Sequence, residues 1–477
     1  MDSIPLAVEE TAYQQRRSFH RGCLADMLRS SHRPPLAEFE TMKSAGICFA
    51  LLVMLGPCAI SRQATAAEQK PSPIDSADRL FRIGEFAQAG EQYAKIAADH
   101  PDDYSATLQL GRIALLSNRL DDAEHRLKRA IDLRPGDADP KVMLAEAYYR
   151  RDDFEKAVAA LNGVDVGTNP LVAAQYPALN VAKLQSFNGQ TPYELHSDRQ
   201  ITRLKFLRTD PLPLITVRVN GGDEVTFFID TGASEVALDT DFAKELGVPL
   251  FGTVQGTFSG GQHAEVQQGR IESLTLGDWT VKNLPVAMLP LRQLSGGLEA
   301  KRIDGIIGTT LFYHFLATLD FPHGEFVLRR KNGTNLEQFV ASSVKSVAVP
   351  FWIASDHFMV GWGRVETLPP ALLFVDTGLA GAGVKLAESV IKEAGIKLEE
   401  DKASAGAGGG GNLKIVPYVV HRLSFGKVQE ENVAGLYDGP FPWENLFGFH
   451  LAGMVGHDFF KPHAVTFDFQ NMKILLR

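Results

Sequence analysis

Two aspartates stand in the same five-residue setting, Phe228-Ile229-Asp230-Thr231-Gly232 and Phe374-Val375-Asp376-Thr377-Gly378. Each follows an apolar run of strand character and enters a turn where glycine removes the side chain that would obstruct a sharp bend. Two carboxyls a few ångströms apart cannot both ionise cheaply, so such a pair keeps one proton over a wide pH range. The ionised member can take a proton from water while the protonated member donates to a developing oxyanion. That is hydrolytic chemistry for a peptide bond, and it calls for no cofactor and no metal. Cys23, Cys48 and Cys58 all lie in the first 58 residues, and no His-Glu-x-x-His motif occurs. A thiol nucleophile in the folded part and that zinc motif are therefore excluded.

For the carboxyls to meet, the two motifs must be carried by equivalent halves. The sequence supplies them, at a shift of about 148 residues. Glu245-Leu246-Gly247-Val248 returns as Glu393-Ala394-Gly395-Ile396, and Leu276-Gly277 with Asn283 returns as Phe425-Gly426 with Asn432. Gly305-Ile306-Ile307-Gly308 returns as Gly453-Met454-Val455-Gly456, and Thr318-Leu319-Asp320-Phe321 as Thr466-Phe467-Asp468-Phe469. Matched segments in one order describe a duplicated pair of β lobes about a pseudo-twofold axis. From about residue 199 to 477 the chain resembles the retropepsin/pepsin-like aspartic peptidases in their two-lobed, single-chain form.

The resemblance implies that Asp230 and Asp376 are the catalytic pair, with a peptide or protein substrate in the interlobe cleft. It also implies that Thr231 and Thr377 hydrogen-bond across the pair. Ile306-Ile307-Gly308 and Met454-Val455-Gly456 are then the strand-turns threading behind each motif. Flaps are expected at Gly256–Gly261 and at the glycine run Gly406–Asn412, although composition alone also suits a linker for the second. Two departures stand out. Ala233 and Leu379 occupy positions where pepsin-like members usually carry a hydroxyl, and no flap tyrosine is evident. Without those hydroxyls the pair should titrate higher and work nearer neutral pH.

Upstream, Ala89, Ala123 and Ala157 stand 34 residues apart, as do Pro101 and Pro135, and Tyr93, Leu127 and Leu161. With apolar residues at helical spacing, this resembles the tetratricopeptide repeat (TPR). Pro71 and Pro73 shorten its first helix, the third unit frays at Gly163, and Leu171–Leu184 caps the stack. The repeats serve either as a docking surface for a protein partner or as packing. The fold class expected is multidomain α + β, with TPR-like helical hairpins followed by an all-β, two-lobed, pseudo-twofold peptidase fold. The boundaries read as an upstream extension at 1–41, a signal peptide at 42–67, repeats at 70–170, a capping helix and linker at 171–198, and lobes at 199–340 and 345–477.

The signal-peptide reading rests on Met42-Lys43, the apolar run Ile47–Leu55 and the small-residue exit Ala64-Thr65-Ala66. It implies a periplasmic or secreted product without a stable membrane anchor. A net charge of −9 and no dense Lys/Arg run argue against nucleic acid as a partner. The rival to an endopeptidase is an exported adaptor built on a catalytically silent peptidase fold. Other residues suggest structural work: His457 a surface or packing role, Asp320 and Asp468 the bonding of turns. Trp443 with Pro440, Phe441 and Pro442 either lines the cleft or fixes a loop.

Overall fold

The computed structural model describes residues 72–342 and 345–477. The extension at 1–41 and the signal-peptide segment at 42–67 lie outside the described residues. Eight helices come first: α1 (Pro73–Arg82), α2 (Phe86–Asp99), α3 (Tyr104–Leu116), α4 (Leu120–Leu133), α5 (Asp139–Tyr149), α6 (Phe154–Ala160), α7 (Pro170–Gln175) and α8 (Val181–Gln185). Ser72 caps α1 in a capping box with Asp75, and Pro73 occupies its first turn, where a missing N–H costs nothing. The α1 helix has 10 residues against 13 in α3, and α6 stops after 7 against 14 in α4. Ala89, Ala123 and Ala157 are wholly buried, so the 34-residue step marks places where adjacent helices touch closely. The short helices α7 and α8 pack on α5 and α6.

Residues 185–200, read as a polar connector, are docked instead. Phe187 and Tyr193 are buried, and Glu194–His196 forms an edge strand on Thr280–Lys282. Tyr193 stacks on His314 with centroids 4.1 Å apart. Two aromatic side chains among polar neighbours bury enough apolar surface to tie the segment down.

The β region divides into two equivalent sheets joined by a shared layer. In the first, strands run in the order Glu194–His196, Trp279–Leu289, Val236–Asp239, Gly305–Ile307, Glu224–Ile229, Leu214–Val219, Gln262–Leu276 and Leu250–Phe258. The second repeats that order from Val428–Tyr437 through Val384–Leu386, Leu451–Gly456 and Ala371–Asp376 to Phe358–Val365. In both, the strand leading to the aspartate lies parallel to the apolar-Gly strand, Phe228 opposite Ile306 and Phe374 opposite Met454. The shared layer pairs Phe315–Asp320 with Ala464–Asp468, placing the repeat-equivalent Thr318 and Thr466 opposite each other. Their hydroxyls are 2.7 Å apart. Two residues with identical places in a duplication meet face to face only on the axis relating the halves, so this pair marks the pseudo-twofold.

The helices are clamped to both lobes. Phe81 and Phe86 of the first repeat pack edge-on against Phe449, and Phe86 also against Trp352. Helix α5 is buried from Val142 through Tyr149. At its end Tyr149 donates to Glu235 at 2.6 Å, while Arg150 donates to the carbonyls of Leu115 and Ser355. From α8, Lys183 Nζ donates to both oxygens of Glu235, at 2.7 and 2.8 Å, and to Gln268 at 2.6 Å. Lys183 and Glu235 are 0% and 4% exposed, so their charges are held almost wholly by each other and by Tyr149 and Gln268. The packing alternative for the repeats therefore holds for the surfaces of α1, α2, α3 and α5 that touch the lobes.

Candidate active site

The site is built by apolar strands that stop at an acid. Glu224–Ile229 and Ala371–Asp376 are largely buried, and their burial fixes where the following turns emerge. The Asp230 N–H donates to the Ile307 carbonyl at 3.0 Å, which ties the first turn to the strand behind it. Across the axis, Thr231 N–H donates to Thr377 Oγ1 and Thr377 N–H to Thr231 Oγ1, each at 3.0 Å. Thr231 Oγ1 in turn donates to the Val375 carbonyl at 2.9 Å. All of these groups are buried, so the reciprocal bonds satisfy donors that would otherwise be costly to bury.

This grip brings the carboxyls of Asp230 and Asp376, 146 positions apart like the threonines, up against the opposite lobe's motif glycine and so towards each other. Both remain partly open to solvent. Gly232 and Gly378 are required by close approach: a Cβ on either would run into the opposite lobe's carboxylate. Burial raises the pKa of Asp230, opposed by hydrogen bonds from Asp376 and from the N–H groups of Gly232, Ala233 and Gly378. Burial raises Asp376 well above the usual range, and the Asp230 charge and hydrogen bond push it further. The Gly232 N–H donates to Asp230 Oδ1 at 2.7 Å and the Gly378 N–H to Asp376 Oδ1 at 2.9 Å, so each carboxyl is held by the amide of its own turn and the pair holds one proton between them.

The residues after the motifs offer the pair no hydroxyl. Ala233 and Leu379 have none, and the nearby Ser234 hydroxyl donates to Asp356. Burial would raise Asp356, but His357, Ser234 and Ser355 outweigh it and hold its carboxyl at about 2. That aspartate was not singled out from the sequence, and its partners account for it.

Both flap segments are hairpins. Leu250–Phe258 pairs with Gln262–Leu276 across the tip Ser259–Gly261, and Ser404–Gly408 pairs with the strand from Gly411. The glycine run is thus a β-hairpin, as a flap requires, not a linker. The hairpins touch: Gln262 Nε2 donates to the Asn412 carbonyl at 2.7 Å, and a Cβ on Gly409 would strike the Phe258 ring. Phe258 packs against the same apolar cluster as Ala233 and Ala380, which follow the two motifs. The first flap's aromatic residue is Phe258, where a tyrosine was absent from the sequence.

The other conspicuous residues have structural partners. Trp443 packs on Phe358, Phe374 and Phe441, which fixes the loop beside the strand carrying Asp376. Asp320 accepts from the His323 N–H, and Asp468 from those of Gln470 and Asn471, so both bond turns. His457 is buried edge-on against Phe321, 5.2 Å between centroids, a packing role. Its Nε2 lies 3.4 Å from Asp210, whose charge is met by Lys461 at 2.7 Å. Sequence reading passed over Lys183, Glu235, Lys385 and Asp438, and named Ser259 only as part of the first flap. The available signal for Lys385 was a charge between Val384 and Leu386 in an apolar strand.

A family model described as aspartyl protease matches residues 215–311, and two described as tetratricopeptide repeat match residues 74–138 and 114–165. The chain carries an aspartyl protease domain behind tetratricopeptide repeats. The aspartyl protease match covers the half with Asp230, and the repeated topology extends the same architecture to the half with Asp376. No curated protein matches the chain. Among solved structures, a mutant O-GlcNAc transferase from Thermobaculum terrenum is 21% identical over 19% of this chain and 17% of that one. Its TM-score is 0.18, so the likeness carries no argument about the protease domain.

Proposed function

We propose that the protein is an aspartic endopeptidase that hydrolyses peptide bonds through a water held between Asp230 and Asp376. The observation that carries the reading is the meeting of these two carboxyls at equivalent turns of the two lobes, each held by the amide of its own glycine. Asp230, ionised, accepts a proton from the water as it attacks the peptide carbonyl. Asp376, protonated, donates to the oxygen that gains charge. Cleavage of a peptide library by the purified chain, lost on amidating either acid, is the test.

The direction of both shifts sets the pH dependence. Activity requires the singly protonated pair, so the rate falls on the acid side as Asp230 takes a proton and on the alkaline side as Asp376 loses one. Both pKa values lie above the ordinary aspartate value. The window therefore moves towards neutral pH, and kcat/KM plotted against pH should peak well above about pH 4. A maximum below about pH 3 contradicts the assignment.

Tetratricopeptide repeats generally mediate protein interactions, and here one surface of the array is engaged by the chain's own lobes. The reading leaves the exposed faces of α2 and α4 for a partner. It also includes export, motivated by the segment Met42–Ala66. Amino-terminal sequencing of the cell-envelope or secreted product should begin after Ala66, and recovery of an intact Met42 segment in the cytoplasm contradicts it.

A further inference from the structure

The first-lobe flap reaches past its counterpart to a buried ion pair. Ser259 Oγ donates to Asp438 Oδ2 at 2.8 Å and accepts from Lys385 Nζ at 2.7 Å. Lys385 and Asp438 also pair directly, with side chains 0% and 2% exposed. Lys385 is central in the strand Val384–Leu386, which is packed between Val428–Tyr437 and Leu451–Gly456, and Asp438 follows the first of these. Gly260, at φ +71°, lies against the Asp438 carbonyl, where a Cβ would approach to 2.7 Å. The flap tip is thus shaped to seat on this pair.

A lysine and an aspartate withdrawn from water need their remaining donors and acceptors satisfied. Ser259 meets both with one hydroxyl, which donates to the acid and accepts from the ammonium. Lifting the flap removes that hydroxyl and exposes the pair. Other groups face it too: Asp376 lies within electrostatic reach of Lys385, while Tyr418 and Tyr437 face Asp438. The Tyr418 hydroxyl is held by the Leu386 N–H at 2.8 Å.

We propose that Ser259 is a latch that holds the flap down by docking into the Lys385–Asp438 pair, and that Lys385 is a positioning residue for the carboxyl pair. Lys385 stands opposite Met454, which in turn stands opposite Phe374 on the strand that ends at Asp376, so its charge lies one strand away and favours the ionised form of the acids. Burial and Asp230 raise Asp376, and the Lys385 charge partly offsets them. The proposal rests on the hydrolase reading for its kinetic half and on geometry alone for its flap half.

The full chain is compared with Ser259→Ala, Lys385→Gln and Lys385→Arg by amide hydrogen exchange and by kcat and KM against pH on one peptide. Ser259→Ala should raise exchange over residues 254–266 by about tenfold, the loss of a buried hydrogen bond or two, without moving the alkaline limb of kcat. Lys385→Gln should raise the same exchange and move that limb to higher pH by half a unit or more, because the nearby positive charge is gone (an order-of-magnitude expectation). Lys385→Arg should restore the limb. Unchanged flap exchange in Ser259→Ala overturns the latch, and an unmoved limb in Lys385→Gln overturns the positioning role. A wild-type chain that cleaves nothing defeats the hydrolase reading, whereas the exchange comparison still decides the latch.

Discussion

Asp230→Asn and Asp376→Asn each lower peptide cleavage by about 10³-fold or more, within the range ascribed to positioned acid–base groups and their mutual dependence. The two variants fail for different reasons. Asn at 230 removes the base, and Asn at 376 removes the transferable proton that Asp376 carries. Neither touches the threonine grip, since its bonds run between Thr231, Thr377 and the Val375 carbonyl. Both variants should therefore melt within a few degrees of the parent, and the double variant should be no worse than the poorer single one. Peptide libraries read by mass spectrometry and thermal unfolding of the same preparations provide the check. If cleavage survives in either single variant, the paired-acid mechanism is wrong. Peptide binding without cleavage in every form, parent included, is the signature of the silent adaptor.

Lys183→Met has the second large effect, on stability. It leaves Glu235 buried, with Tyr149 donating but no cation. Removing one member of a buried ion pair typically costs about 3–5 kcal/mol, and most of that is the stranded charge. Pairing Lys183→Met with Glu235→Leu should recover a large part of the loss, because the uncompensated carboxylate is gone. Urea unfolding of the four forms measures the cycle. The joined packing of helices and lobes predicts a single transition for the parent. A loss below about 1 kcal/mol in Lys183→Met would mean that water reaches Glu235, contrary to its burial.

The acids were legible because the chain states them twice, with apolar strand, glycine turn and apolar-Gly strand in the same order. The repeats were legible because a 34-residue step survives in Ala89, Ala123 and Ala157. What joins the two regions was not. Helical periodicity shows which face is buried but not what buries it, and Lys183 in Val181–Gln185 looks like any surface lysine on a short helix. Phe187 and Tyr193 were outweighed by polar neighbours, so a docked segment passed for a connector. Ser259, Lys385 and Asp438 are scattered along the chain, and only closure of one lobe on the other assembles them. The two lobes repeat their topology but not these side chains, so comparison of the halves gives no hint of them.

The central layer has a bearing on how such a molecule is made. Residues 473–476 lie between Val347–Ala354 and Ala464–Asp468, in the interior of the thirteen-stranded sheet. They lie downstream of every other strand in it, so a growing polypeptide offers an unfilled slot until they leave the ribosome. Pairings this distant along the chain form slowly and late. The layer that carries the pseudo-twofold is accordingly complete only when this strand has been laid between its two neighbours.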